Sequence, residues 1–108
     1  MKTFNKYQFI RDLNEEIEQE LAYNYSKGIE ITYDTIDELI HTSVENQCIY
    51  AYDAWAIAYE LGENDFENPI TGETCKDIYE LAFYSLLDYV QGEIDIDAAI
   101  LDFETQNV

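Results

Sequence analysis

Apolar residues recur every three or four positions over most of the chain, and the rhythm lapses at Gly28, Gly62, Gly72, Gly92 and Pro69. This pattern predicts about five helical pieces. The first, roughly 4–27, aligns Ile10, Leu13, Ile17 and Leu21 in one stripe, with Asp12, Glu15, Glu16, Glu18 and Glu20 over much of the rest, and Gly28 as its stop. The second, roughly 35–46, has Asp34 and Thr35 as candidate caps. Thr35 with Glu38 fits a capping box, and Ile36, Leu39, Ile40 and Val44 form the inward face. Between them, Ile29-Glu30-Ile31-Thr32-Tyr33 alternates as a short extended stretch would.

A third helix is predicted over roughly 48–61 and ends at Gly62. Its Ala51, Ala54, Trp55 and Ala58 recur at helical spacing, so small residues surround one large aromatic. Such a face permits close helix packing, inside the domain or against a second copy. Residues 63–73 form the longest loop and carry four acids without a base. The fourth helix, roughly 75–91, is apolar around most of its circumference (Ile78, Leu81, Ala82, Phe83, Leu86, Leu87, Val90) and is expected at the centre. The last piece, 93–104, is expected to pack through Ala98, Ala99, Ile100 and Leu101. The predicted architecture is all-α: one domain over residues 1–108, a compact bundle of four to five helices with one long acidic loop.

A chain that is 47% hydrophobic and 15% aromatic is too apolar for a disordered acidic tail, so a packed core is expected. Charge changes the picture more: 24 acids against 5 bases leave a formal net charge of -19. Solubility of a small domain asks for a magnitude of only about 2 to 8, and the excess destabilises a compact body by self-repulsion. Cys48 and Cys75 are too few for a disulfide framework and form no metal-binding pair; they read as reduced core thiols. No signal core follows the N-terminus and no apolar run reaches the roughly 18 residues of a membrane span, so a cytoplasmic protein is expected.

Little in the chain points to catalysis, a cofactor or a metal. The sole histidine, His41, adjoins the inward Ile40; there is no glycine-rich phosphate loop and no serine in a nucleophile elbow. Close acid pairs such as Glu15 and Glu16 are expected by chance among 24 acids. Glu93, Asp95, Asp97 and Glu104 match EF-hand positions one, three, five and twelve, but Ala98 stands where the loop needs glycine. No catalytic or metal residue is therefore assigned.

The acids themselves carry the functional reading. From Gly28 onward there are 19 acids and one base, Lys76, so the usual Glu–Lys pairs at four-residue spacing are nearly absent. Asp34, Glu38, Glu45, Asp53, Glu60, Asp65, Glu67, Asp77 and Glu80 recur at intervals and are the candidate contact residues of a preorganised anionic array. Duplex DNA carries one charge per roughly 1.7 Å, so 24 carboxylates correspond to about a dozen base pairs, on the order of 40 Å of duplex. A few of the ten tyrosines could add flat contact area at an interface.

From about Asp34 to Leu81 the chain resembles the phage "overcome classical restriction" family of DNA mimics. The likeness rests on Asp34, Glu38, Ile40, His41, Glu45, Asn46, Tyr50, Asp53, Trp55 and Gly62, the acidic loop at Asp65-Phe66-Glu67, and Thr74, Lys76, Asp77, Ile78 and Leu81. The resemblance implies an all-helical homodimer that imitates bent DNA, with the third helix (Ala51, Ala54, Trp55, Ala58) in or near the dimer interface and Asp34, Glu38, Glu45 and Asp53 standing in for phosphates. The chain departs from that family in its end, Thr105-Gln106-Asn107-Val108, where the family has a very acidic tail. The expectation is a non-enzymatic phage inhibitor in the host cytoplasm that binds no nucleic acid itself and blocks the DNA groove of a type I restriction-modification enzyme. Rival expectations are mimicry aimed at another DNA-binding protein, such as a CRISPR effector, and an acidic adaptor that mimics nothing.

Overall fold

Each helix of this protein begins where a short polar side chain can accept a hydrogen bond from the first turn. The computed structural model describes residues 3–51, 53–62 and 65–107; Tyr52, Glu63, Asn64 and the side chains of Tyr50 and Ala51 lie outside the described residues. Helix α1 is Lys6–Ser26, α2 is Tyr33–Asn46, α3 is Ala54–Glu60, α4 is Ile78–Glu93 and α5 is Ile96–Gln106. The bundle is all-α, with no named strand among the described residues.

The Asn5 side chain accepts from the amides of Tyr7 and Gln8, both at 3.0 Å, and starts α1. Its end is a Schellman motif: Gly28, at φ 70°, donates to the Tyr25 carbonyl, and Ile29 donates to the Asn24 carbonyl. Asp53, Asp77 and Asp95 cap α3, α4 and α5 through the amides of Trp55, Glu80 and Ala98.

Four expectations need correction. The capping residue of α2 is Thr32, whose hydroxyl oxygen accepts from the Thr35 amide at 3.3 Å; Asp34 and Thr35 lie inside the first turn, so the Thr35–Glu38 box does not form the cap. The stretch from Ile29 is shorter than expected: residues 29–32 are a connection, with Thr32 in extended backbone, and Tyr33 already belongs to α2. The predicted third helix is two elements: Gln47–Ala51 is a π-helical turn continuing α2, and α3 starts only at Ala54. Finally, α5 packs through Ile96, with Ala99, Ile100 and Phe103 half-buried, while Ala98 and Leu101 face out.

The central position of α4 is as predicted. It packs against α2 and α3, and Leu81, Ala82, Ser85, Leu86, Leu87 and Val90 are all buried. The core they close is completed by Phe9, Leu13, Ile17 and Leu21 of α1 and by Ile36, Ile40 and Val44 of α2. Cys48 and Cys75 are both buried, and burial pushes the Cys48 thiol up to about 12, which keeps it neutral and unreactive at physiological pH. No helix among the described residues is long and apolar enough to cross a membrane. The molecule is elongated, with principal extents of 46 × 29 × 18 Å.

Candidate protein-binding surface

Every described Asp and Glu reaches solvent: Glu20, Asp37, Glu60 and Glu80 are half-buried and all the others are exposed. The described bases do little to neutralise them. Lys6 Nζ sits 5.4 Å from the Tyr7 ring centre and 5.8 Å from that of Tyr89, and Lys27 Nζ sits 5.9 Å from the Tyr23 ring. Arg11 donates to the side-chain oxygen of Gln8. Among the described residues the only ion pair is between His41 and Asp37, at 3.7 Å. Lys6, Lys27 and Arg11 are thus placed on rings and an amide rather than on carboxylates. The Tyr89 hydroxyl is held above its ordinary value, first by desolvation and then by electrostatic repulsion from Glu93, with smaller contributions from Tyr7 and Glu60.

The nine candidate acids fall into three groups, the first two of which share Glu45. On α2, Asp34, Glu38 and Glu45 lie within about 60° of one another around the helix, with His41 on the same strip. At the junction of α2 and α4, a cleft of about 520 Å³ brings Glu45, Asp77 and Glu80 together with Lys76. Asp53, Glu60, Asp65 and Glu67 belong to α3 and its flanks, and of these Glu60 is half-buried. Asp53 and Asp77 are also helix caps, so two candidate contact residues have a structural duty as well.

The face built on small residues is placed differently from its expectation. Ala54 and Ala58 point inward, 4% and 3% exposed, where Ala58 packs with Cys75 and Leu81. Trp55 points outward at 61% exposed, beside Tyr59 at 86%. Ala51 belongs to the π turn, and its side chain lies outside the described residues. Phe66 completes this aromatic surface, its ring edge-on to Trp55 at 6.1 Å between centroids.

Sequence reasoning missed Tyr59 and Phe66 as parts of one surface. Tyr59 was within reach of it, being four residues after Trp55; Phe66 was not, because a loop folds it back. That loop is ordered by its own bonds. Asn68, itself buried, accepts from the amides of Ile70 and Thr71 through its side chain, its amide donates to Glu73, and the Cys75 amide donates to Phe66.

A second cleft, of about 620 Å³, gathers Asp37, Glu93, Asp95 and Asp97 beside Tyr33. The calcium-like spacing is not an EF loop, since Asp95 caps α5 and the residues from Ile96 onward are helical. No group of three or more His, Cys, Asp and Glu among the described residues could hold a metal ion. Compared with family models, curated proteins and solved structures, the chain matches none.

Proposed function

We propose that the protein is a DNA mimic that occupies the DNA-binding groove of a host defence enzyme and inhibits it by competition, without catalysis. The observation that supports this reading most is the exposed, un-neutralised carboxylate surface on an elongated helical frame. Duplex of the same 46 Å length carries about 27 phosphates, close to the 24 acids of the chain. A single chain spans that length, so the reading does not require the homodimer that the family resemblance implies. A basic groove would bind these oxygens with release of counterions, as it binds phosphates.

The residues from Asp34 to Leu81 that resemble the anti-restriction family favour a type I restriction-modification enzyme as the target. On this proposal the protein comes from a phage or other mobile element and acts in the host cytoplasm. The test is displacement of a labelled duplex from purified type I enzyme. Full displacement is expected, with log affinity falling linearly as log salt rises. Binding that leaves the duplex in place, at low salt, would overturn the mimicry. Elution of a different DNA-binding protein, such as a CRISPR effector, from host lysate by duplex would keep the mimicry and change the victim.

A further inference from the structure

Acids alone can hold a basic groove loosely, and the surface around α3 offers something more. Trp55 and Tyr59 lie one helical turn apart on its outer side, and Phe66 meets Trp55 edge-on from the loop. The platform is held from both sides. The Asp53 carboxylate accepts from the Trp55 amide at 2.8 Å, and the Phe66 carbonyl is tied to the Cys75 amide at 2.6 Å. Large aromatic side chains held in place while exposed are the usual anchors of an interface, because little further ordering is lost when a partner arrives.

Charge selects the partner. The chain flanking these rings carries Asp53, Glu60, Asp65 and Glu67, and the nearest base in sequence, Lys76, lines the neighbouring cleft with Glu45, Asp77 and Glu80. A second copy would bring another -19 of charge and set carboxylates against carboxylates. A cationic segment meets no such opposition. Among cations, guanidinium is the better fit: it is planar, stacks on aromatic faces and pairs with carboxylates in two-pronged fashion, whereas ammonium is a strongly hydrated point charge.

We propose that the Trp55–Tyr59–Phe66 surface is an arginine-reading anchor, docking an arginine-bearing segment of the target protein by cation–π stacking within a carboxylate rim. The inference rests on the mimicry reading and adds a place where the decoy discriminates among basic surfaces. Carboxylates alone also pair arginine in two-pronged fashion, so the mark of the anchor is the part of the arginine preference that depends on the rings.

The experiment compares labelled octa-arginine and octa-lysine by fluorescence anisotropy at matched salt, with Trp55 emission as a second readout, since Trp55 is the only tryptophan. Arginine is expected to bind about two- to fivefold more tightly than lysine and to quench Trp55. Trp55→Ala and Tyr59→Ala should each reduce that preference by weakening arginine binding more than lysine binding. Both side chains are largely exposed, so both variants should fold, which their circular dichroism checks. Equal, salt-sensitive binding of the two peptides, or an arginine preference undisturbed by either variant, would remove the anchor while leaving the mimicry intact. Binding of neither peptide at low salt would remove the mimicry as well. A concentration-dependent dimer in sedimentation, dissociated by Trp55→Ala, would assign the surface to a second copy and overturn the proposal.

Discussion

Asp77 serves two purposes that a single substitution can separate. Its carboxylate accepts from the Glu80 amide at 2.9 Å and begins α4, the helix at the centre of the core, while it also lines the acidic cleft. Asn caps a helix about as well as Asp, whereas Ala leaves the first-turn amides without an acceptor. Asp77→Ala is therefore expected to lower stability by about 1 kcal/mol, and Asp77→Asn by much less. Urea titration of the two variants checks this. Both should weaken target binding to a similar small degree, because both remove one charge from many. If Asp77→Asn destabilises as much as Asp77→Ala, the cap is not what Asp77 contributes.

Among the elements, those with a strong periodic stripe were readable in advance. Leu13, Ile17 and Leu21 of α1 and the wide apolar face of α4 are buried as their spacing predicts. Where the reading failed, local chemistry had competed with periodicity. Thr32 and Thr35 are both plausible caps by composition, and in the fold Thr32 has the extended backbone of a cap and accepts from the Thr35 amide. A π turn at Gln47–Ala51 leaves no mark on a 3.6-residue pattern, so Ala51 and Ala54 looked like one helix when they belong to two. The acids were legible as a set because charge is compositional. The meeting of Glu45 with Asp77 and Glu80 in one cleft was not, since it depends on how α2 packs against α4. The loop after α3 was read only as acidic, and its turn is held by the buried Asn68, with the Cys75 amide tying Phe66 separately. Asn68→Ala removes the acceptor for two amides, and a loss of about 1 to 2 kcal/mol is expected. Trp55 emission should change with it if the turn at Asn68, beyond the Cys75–Phe66 bond, is needed to keep Phe66 against the indole. An unaltered spectrum would mean that Phe66 keeps its place without Asn68.

At the scale of the whole molecule, folding gathers like charges on a body only 18 Å thick along its shortest axis. With so few cations near carboxylates, mutual repulsion opposes the folded state, and added salt should relieve it. Sodium chloride between about 0.02 and 0.3 M is therefore expected to raise the melting temperature. The same salt should weaken binding to a basic target, so stability and affinity are expected to move in opposite directions. A melting temperature indifferent to salt would show that the carboxylates do not burden the fold. That result would also weaken the case that their retention needs a function to explain it.

The widened turn between α2 and α3 has a consequence for how such a chain can diverge. A π turn holds one residue more than an α turn, and each residue of a helix advances the next by about 100°. Deleting one residue from Gln47–Ala51 would allow α2 to continue as a regular helix and would rotate the chain beyond it, carrying Asp53 and Trp55 out of phase with α4. Substitution in this stretch leaves the phase intact; a change of length does not. Over evolutionary time the number of residues between Val44 and Ala54 is the quantity to be preserved, more than their identities, and natural variants should differ there by exchange rather than by insertion or loss.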